Sequence, residues 1–146
     1  MNDSPKHSVS VAGIVVGPDD RILVIKRRDN GRWEMPGGVL ELGETIEDGL
    51  RREVLEETGV TVQVEGLTGV YKHLVRGIVA LVFRCRPGPE TPRPTSEAAE
   101  TRWMTRDEVE RAMAPAYAIR VLDALTASPG MPSVRSHDGV NLIMPE

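Results

Sequence analysis

Three glutamates lie three and four positions apart in one charged stretch of the chain, Glu53, Glu56 and Glu57. On a helix, residues at this spacing share one face, so the three carboxylates converge. Like charges at this spacing destabilise a helix by about 0.2–0.5 kcal/mol per pair, which indicates a cation between them. Ligand sets made only of oxygen favour a hard cation, so we expect Mg²⁺, with Mn²⁺ as the alternative.

The apolar residues of the same stretch predict which side of the helix is buried. Ile46, Leu50 and Val54 recur every four residues and mark an inward stripe. At 100° per residue, Glu53 and Glu57 fall along the edge of this stripe. The residues expected to point away are Glu47, Asp48, Arg51 and Thr58. The two acids therefore border the protein interior, unlike the acids of a purely solvated helix.

The stretch from Gly38 to Val60 resembles the Nudix box, whose pattern is G-x5-E-x7-R-E-U-x-E-E-x-G-U, with U a bulky aliphatic residue. Every fixed position is matched, by Gly38, Glu44, Arg52, Glu53, Val54, Glu56, Glu57, Gly59 and Val60. With average residue usage, a chance match in a chain of this length has a probability on the order of one in ten million. We therefore interpret the stretch as a Nudix box and not as an ordinary glutamate-rich surface helix.

The resemblance implies a metal site at the box. Glu56 and Glu57 would be the principal ligands, and Glu53 would be a further ligand or the base that deprotonates water. The backbone carbonyl of Gly38 would be another ligand, since the first glycine of the box often has this role in Nudix proteins.

Arg52 is expected to hold these acids in place. It lies four residues before Glu56, which is the spacing of a hydrogen-bonded ion pair on a helix. In the family, the glutamate matched by Glu44 is mainly structural and is tied to the arginine matched by Arg52. Thr45 is the expected N-cap, and Gly59 is expected to end the helix.

An acid outside the box competes with Glu53 as the general base. Nudix proteins often carry an acidic residue before a strand that ends in a tryptophan such as Trp103, and some use it as a metal ligand or base. Glu97 and Glu100 both fit this position. We favour Glu97, because it ends a loop whereas Glu100 falls within the strand pattern. A solvated acid is the alternative for each.

Polar residues near the box are candidates for contact with substrate. Arg27 ends a strand just before the box, where a phosphate-bearing substrate needs positive charge. A solvated strand end is the alternative for Arg27, and Arg28 ranks below it. Tyr71 and His73, together with Arg76, lie where another strand ends and are further candidates.

Strands and helices alternate around the box. The β-rich runs 8–17 and 21–28 are separated by Pro18-Asp19-Asp20, which predicts a hairpin. The paired glycines Gly37 and Gly38 predict a tight turn with exposed backbone. Further elements are expected as a bent strand over 60–72, a central strand over 77–86, and helices over 106–113 and 116–126.

The order of elements resembles the Nudix α/β/α sandwich, an α/β fold in which a mixed β-sheet lies between helices. The resemblance covers about residues 8–126, and we expect a single domain over 1–146 with a C-terminal tail over 127–146. The tail contains the run VRSHDGVNLI, which has strand character. It is expected to pair with another sheet edge or another subunit, so a homodimer is open.

Composition limits the class of function. The net charge is −4 and the aromatic residues are two tryptophans, two tyrosines and one phenylalanine, which argues against binding to nucleic acid or an anionic membrane. The single cysteine, Cys85, excludes an intramolecular disulfide and is typical of the cytoplasm. No apolar run reaches transmembrane length. We therefore expect a soluble cytoplasmic protein with a small nucleotide-type substrate.

The resemblance implies hydrolysis of the diphosphate linkage in a nucleoside diphosphate joined to another moiety, X. A (d)NTP pyrophosphohydrolase of the nucleotide-sanitising type is the alternative, because loops outside the box set the substrate. A catalytically silent nucleotide-binding or regulatory domain is a third hypothesis. Silent members usually lose box acids, whereas this chain keeps all of them.

Overall fold

The computed structural model describes residues 4–146, so the first three residues of the expected domain lie outside it. The strands are β1 (Ser8–Val15), β2 (Ile22–Arg27), β3 (Trp33–Glu34), β4 (Gly37–Val39), β5 (Val62–His73), β6 (Ile78–Pro87), β7 (Ala98–Met104), β8 (Ser133–His137) and β9 (Leu142–Ile143). The helices are α1 (Ile46–Thr58), α2 (Arg106–Ala112) and α3 (Pro115–Thr126).

The strands form one larger and one smaller sheet. The larger sheet has the order β4-β1-β6-β5-β8-β9, and the smaller has the order β3-β2-β7. In the larger sheet β1 runs parallel to β6 and β5 parallel to β8, whereas the other neighbours are antiparallel. The predicted α/β fold with a mixed sheet is therefore confirmed.

The alternating side chains of β1 face two separate cores. Val11 and Val15 pack in one core with Leu50 of α1. Ile14 packs in the other core with Val121 of α3. Helices therefore cover both faces of the larger sheet, as the α/β/α arrangement requires, and α1 is fixed on the face that carries the box.

The expected hairpin between the first two strands is wrong. Gly17 N–H donates to the Arg21 carbonyl (2.9 Å), so the chain does turn back at the predicted place. The pairing then ends after one bridge, between Val16 and Ile22. Both edges of β1 are already occupied, by β4 and β6, so β2 joins the smaller sheet instead.

The expected tight turn at the paired glycines is also wrong, because Gly37 and Gly38 form strand β4 beside β1. Neither residue has a positive φ. A Cβ on Gly37 would collide with the backbone of Val11 and Ala12, and one on Gly38 would lie 2.5 Å from Glu53 Oε2. Glycine is needed here for close approach and not for a turn.

The buried face of α1 differs from the expected stripe at both ends of the helix. Leu50 and Val54 are fully buried as predicted, whereas Ile46 is 42% exposed. Thr58 was expected to point away but is fully buried, because its hydroxyl donates to the Val54 carbonyl (2.7 Å). The same hydroxyl accepts from Val60 N–H (3.1 Å). Thr58, whose hydroxyl both donates and accepts a hydrogen bond, is thus the last residue on the buried face of α1.

The two strands expected after the box have the predicted character. The ladder between β5 and β6 shifts register between Val64 and Gly66 and again between Leu67 and Gly69, so β5 is irregular as the bent-strand prediction requires. β6 lies between β1 and β5 in the larger sheet. The prediction of a central strand here is confirmed.

The C-terminal segment adds to the sheet of its own chain. β8 pairs in parallel with β5, and β9 pairs antiparallel with β8. The strand character predicted for this segment is therefore confirmed, and its partner is an edge of the same sheet.

Helix α3 buries polar residues that the apolar pattern did not predict. Ala118 is buried as expected, and Ile119 and Leu125 pack against the core while partly exposed. Arg120 and Asp123 are also buried on this helix. No helix within residues 4–146 combines the length and the apolar character needed to cross a bilayer.

Candidate active site

Helix α1 carries the acids of the site and has well-defined ends. Thr45 Oγ1 accepts from Asp48 N–H (3.2 Å), which confirms Thr45 as the N-cap. Gly59 has φ of 77° and its N–H donates to the Leu55 carbonyl (2.8 Å), so Gly59 ends the helix as predicted. These two ends fix which helical positions face the sheet.

Glu53 and Glu57 face a common cavity of about 480 Å³, here called the carboxylate pocket. The exposed fractions of these residues are 9% and 6%. The pocket is lined by the end of β2 and the residues after it, by strand β4, by α1 and by the loop before β7, through Arg27, Arg28, Asp29, Gly37, Gly38, Val39, Glu53, Glu57, Ser96 and Glu97. Two carboxylates are thus removed from bulk water within one pocket.

Burial disfavours the ionised forms of both carboxylates. Burial raises the pKa of Glu57 to about 7, although Gly37 N–H donates to its Oε1 (2.7 Å) and opposes the shift. Burial also raises the pKa of Glu53, against a hydrogen bond from Arg52. The negative charge of Glu97 adds to the rise at both groups. Burial and neighbouring negative charge therefore act in the same direction on both carboxylates.

Arg52 binds three carboxylates at the edge of this pocket. Its Nε and Nη2 donate to the two oxygens of Glu44 (2.9 and 2.6 Å), which holds the pKa of Glu44 near 2. Its Nη1 donates to Glu53 Oε1 (2.8 Å) and lies 3.4 Å from Glu56 Oε2. The expected links from Arg52 to Glu44 and Glu56 are therefore present, and Glu53 is held as well.

The structure does not bring the three box acids into one cluster. The side chain of Glu56 is 55% exposed and does not line the carboxylate pocket. Across residues 4–146, no three acidic, histidine or cysteine side chains are grouped closely enough to hold a metal. Glu53 and Glu57 share the pocket, whereas Glu56 extends outward toward Arg52.

The residues of the pocket nevertheless fit a hard divalent cation. The donors are carboxylate oxygens, which Mg²⁺ and Mn²⁺ prefer. Burial raises the pKa values of both Glu53 and Glu57, and the negative charge of Glu53 adds to the rise at Glu57. Gly38 lies against the Glu53 carboxylate, where any larger residue would displace it. A divalent cation bound in the pocket would offset the charge of both carboxylates.

Glu97 and Glu100 are in different surroundings. Glu97 lines the carboxylate pocket, directly before β7. Glu100 lies within β7 and forms surface ion pairs with Lys26 (3.5 Å) and Arg102 (3.6 Å). The prediction that Glu97 ends a loop and Glu100 lies in a strand is confirmed, and only Glu97 of the two faces Glu53 and Glu57.

Arg27 lies at the junction of three cavities. It lines the carboxylate pocket and two further pockets described below. Its guanidinium donates to both oxygens of Asp29 (2.8 and 2.5 Å) and lies 3.5 Å from Glu34, which together raise its pKa. Arg28 also lines the carboxylate pocket, and its Nε donates to the Thr95 carbonyl (2.9 Å).

The inner pocket adjoins the carboxylate pocket and has a volume of about 250 Å³. The two pockets share Arg27 and β4 as walls. The outer pocket, of about 700 Å³, follows the inner one and shares Glu34, His73 and Tyr117 with it. The three pockets form one continuous groove that begins at the buried carboxylates.

Tyr71 and His73, the two remaining candidates for substrate contact, lie in different surroundings. Tyr71 is fully buried and its hydroxyl donates to Asp123 Oδ2 (2.7 Å). A fully buried side chain with its hydroxyl occupied offers no surface to a substrate, so Tyr71 does not fit the expected contact role. His73 lines both the inner and the outer pocket, and its Nδ1 accepts from Arg76 N–H (3.2 Å).

Sequence reasoning missed a second set of polar residues in the groove. Arg120 and His137 line the inner pocket, beside Tyr117. The sequence contains one indication that Arg120 is buried, because this charged residue shares a helix face with Val121 and Ala124. No comparable signal pointed to His137, whose partners come from distant parts of the chain.

Comparisons with known proteins agree with this geometry. The family model of the NUDIX domain matches residues 6–125. A MutT-like protein from Streptomyces ambofaciens is 60% identical over 139 residues, which are 95% of this chain and 89% of that protein. An ADP-ribose pyrophosphatase from Methanocaldococcus jannaschii is 41% identical over 83 residues, 52% of this chain and 48% of that protein.

A solved NUDIX hydrolase from Nitrosomonas europaea has the same fold, with a TM-score of 0.77 at 22% identity. The match covers 92% of this chain and 81% of that one. Together with the complete box and the buried carboxylates of α1, these likenesses show that the chain belongs to the Nudix family and is a Nudix pyrophosphohydrolase.

Proposed function

We propose that the protein hydrolyses the diphosphate linkage of a nucleoside diphosphate joined to another moiety, X, with Mg²⁺ or Mn²⁺ as cofactor. The observation that carries this proposal is the pair of buried carboxylates, Glu53 and Glu57, at one end of a continuous groove. Besides a site for its phosphates, a substrate of this class needs space for a nucleoside and for X. The inner and outer pockets offer that space beyond the carboxylates.

Glu53 and Glu57 would hold the cation, and the backbone of Gly38 borders the same pocket. A bound divalent cation would offset the charge of the diphosphate oxygens and make a nearby water molecule more acidic. Arg27 at the junction of the pockets would bind a phosphate oxygen with a guanidinium N–H. Arg52 keeps the Glu53 carboxylate in position through its hydrogen bond (2.8 Å).

Glu97 is our preferred general base, and Glu53 is the alternative. Glu97 lines the pocket and has no ion pair among the residues the structure describes, whereas Glu53 accepts a hydrogen bond from Arg52. A base must have an oxygen free to accept the proton from water. A Glu97→Gln variant should lower kcat with little change in KM, and a full kcat in that variant would assign the base to Glu53.

One observation favours the alternative of a (d)NTP pyrophosphohydrolase. The inner pocket is formed within a single chain, and its volume of about 250 Å³ is of the order needed for one nucleobase. A nucleoside triphosphate needs only such a pocket beside the metal site. A nucleoside diphosphate joined to X would need the outer pocket as well.

A release assay can separate these functions. ADP-ribose, UDP-glucose, dinucleoside polyphosphates and the (d)NTPs would be incubated with Mg²⁺, with Mn²⁺ and with EDTA. We expect metal-dependent cleavage of at least one nucleoside diphosphate–X compound, at a higher kcat/KM than any (d)NTP. Higher kcat/KM values for (d)NTPs would favour the alternative. Tight nucleotide binding without cleavage of any compound would contradict both and indicate a silent domain.

A further inference from the structure

Arg120 is a buried cation without an acidic partner. The residue is 7% exposed, and no carboxylate in the described part of the chain lies within ion-pair distance of its guanidinium. Its Nε is buried and has no hydrogen-bond partner. Burial lowers the pKa of Arg120, as expected for a guanidinium withdrawn from water.

The guanidinium of Arg120 contacts two aromatic rings. The Cζ of Arg120 lies 4.8 Å from the ring centroids of both Tyr71 and Tyr117. The Tyr71 hydroxyl is itself bound to Asp123, which accepts two hydrogen bonds from Arg135 (2.8 Å each). Asp123, a buried acid on the same helix, is therefore already paired with a different arginine, and Arg120 contacts ring faces in place of a carboxylate.

The one hydrogen-bond acceptor beside Arg120 is shared with another donor. Arg120 Nη2 lies 3.2 Å from His137 Nε2, and Gly139 N–H donates to His137 Nδ1 (3.0 Å). Burial lowers the pKa of His137 to about 4, so the ring is neutral near pH 7. A neutral imidazole accepts at only one nitrogen. Either Arg120 or Gly139 therefore lacks an acceptor.

Arg120 lines the inner pocket. Among the described residues, the five N–H groups of its guanidinium find at most one acceptor, and an unsatisfied buried donor is costly. Arg120 therefore lacks acceptors that a bound molecule in the inner pocket would supply.

The inner pocket favours an uncharged ring over a second anion. Apolar walls such as Met35, Ile78 and Ala80 line most of it, and its volume is about 250 Å³. Arg27 and Glu34 also line it and lie 3.5 Å apart, so their charges offset each other. The phosphates belong beside Arg27 and the carboxylate pocket. The remaining part of a nucleotide that is flat, neutral and rich in acceptors is the base.

We propose that Arg120 is a specificity-determining residue that donates hydrogen bonds to the nucleobase carbonyl oxygen called O6 in guanine and O4 in thymine and uracil. Adenine and cytosine carry an amino group at this position, which would place a donor against the donors of Arg120. This inference rests on the proposed function only in that a nucleotide enters the groove. It goes further by naming the bases that are accepted.

Binding of nucleoside monophosphates tests the inference without turnover. Isothermal titration calorimetry would compare GMP and UMP with AMP and CMP in the presence of Mg²⁺. We expect the wild type to bind the carbonyl bases about 10- to 100-fold more tightly. In Arg120→Met, which keeps the length of the apolar stem, this preference should disappear through loss of GMP and UMP affinity.

Arg84→Met is the matched control. Arg84 Nη1 donates to the Ala124 carbonyl of α3 (3.4 Å), but Arg84 does not line the groove. This variant should keep the wild-type preference. Equal affinity of the wild type for all four nucleotides, or an unchanged preference in Arg120→Met, would overturn the inference.

A second measurement covers the case in which Arg120→Met does not fold. In wild-type protein, the ¹⁵N–¹H resonance of Arg120 Nε should shift on addition of GMP and stay in place with AMP. The same shift with both nucleotides, or with neither, would overturn the inference. Selective binding without hydrolysis would contradict the proposed function alone, and hydrolysis without base preference would contradict only the role of Arg120.

Discussion

At the α1 end of the groove, one of two buried carboxylates has no ion pair with a described residue, whereas at the α3 end a buried guanidinium has no described carboxylate within ion-pair distance. Glu53 and Glu57 share one pocket, and within residues 4–146 the ion pair to this couple is that of Arg52 with Glu53. Arg120 lies between two tyrosine rings at the other end. The two regions carry opposite charge imbalances within one groove.

The comparison shows two ways in which a fold can accommodate charged side chains whose burial is unfavourable. At the α1 end, Arg52 binds Glu44 and Glu53 and so compensates part of the excess. At the α3 end, ring faces replace ion pairs and leave donors of Arg120 without acceptors. A metal ion and the base of a bound nucleotide would compensate the two ends separately, so changes at each end should have separable effects.

The largest effect on activity is expected from removing the charge of Glu57 at the α1 end. In Glu57→Gln the side chain can still accept from Gly37 N–H, so the fold should be retained, with an unchanged or higher midpoint of thermal unfolding. Loss of the charge of this proposed metal ligand should lower kcat by about 100- to 1,000-fold. Steady-state kinetics at saturating Mg²⁺ would measure this, with exposed Glu47→Gln as the control.

A smaller effect is expected from Arg52→Lys, because lysine cannot form the paired hydrogen bonds that Arg52 makes with Glu44. We expect kcat/KM to fall by about 10- to 100-fold through misplacement of Glu53. The matched control is Arg51→Lys, since Arg51 forms only surface ion pairs with Glu47 and Asp48. Equal losses in the two variants would contradict the positioning role of Arg52.

The pH dependence of stability should have opposite signs at the two ends. The pKa of Glu57 is raised from 4.5 to about 7, so its folded state binds more protons and this contribution to stability falls as pH rises through that range. The pKa of His137 is lowered from 6.5 to about 4, so its contribution is present above pH 6.5 and is lost as pH falls toward 4. The charged or titratable groups facing His137 are Arg120, His73, Tyr117 and Asp138.

Urea unfolding between pH 4.5 and 6.5, in the presence of EDTA, would test these signs. Glu57→Gln should make the free energy of unfolding rise more steeply with pH, and His137→Gln should make it rise less steeply. Each difference should amount to at most about 3 kcal/mol across the range. A change of slope in the same direction for both variants would remove the contrast between the two ends.

The smallest effect on activity is expected from Gly38→Ala. The added Cβ would meet the mobile end of Glu53, at 2.5 Å from Oε2, so the carboxylate should shift while the fold is kept. We expect kcat/KM to fall about tenfold. Gly37→Ala is the contrast, since its Cβ would meet the backbone of β1 and should destabilise the protein. Thermal melts and kinetics of both variants would separate the two roles.

The α1 end could be predicted from the sequence because helix geometry is local. The spacing of Glu53 and Glu57, the cap at Thr45 and the end at Gly59 all follow from residues within one turn or two. The outward position of Glu56 could not be predicted, because it depends on which carboxylates Arg52 binds.

The α3 end could not be predicted, because its contacts join residues far apart in the chain. Arg120 meets His137 across 17 positions, and Tyr71 meets Asp123 across 52. The failed hairpin has a related cause. The turn after β1 is a local feature, whereas the choice of β4 and β6 as its neighbours is decided by competition among distant strands.

The most direct test of the metal-dependent role of the buried carboxylates is ³¹P NMR of ADP-ribose, or of the best substrate from the release assay, during incubation with the protein. The diphosphate resonances should be replaced by monophosphate resonances when Mg²⁺ is present, and should persist with EDTA or with Glu57→Gln. Conversion at the wild-type rate by Glu57→Gln at saturating Mg²⁺ would contradict the assignment of the reaction to the carboxylate pocket.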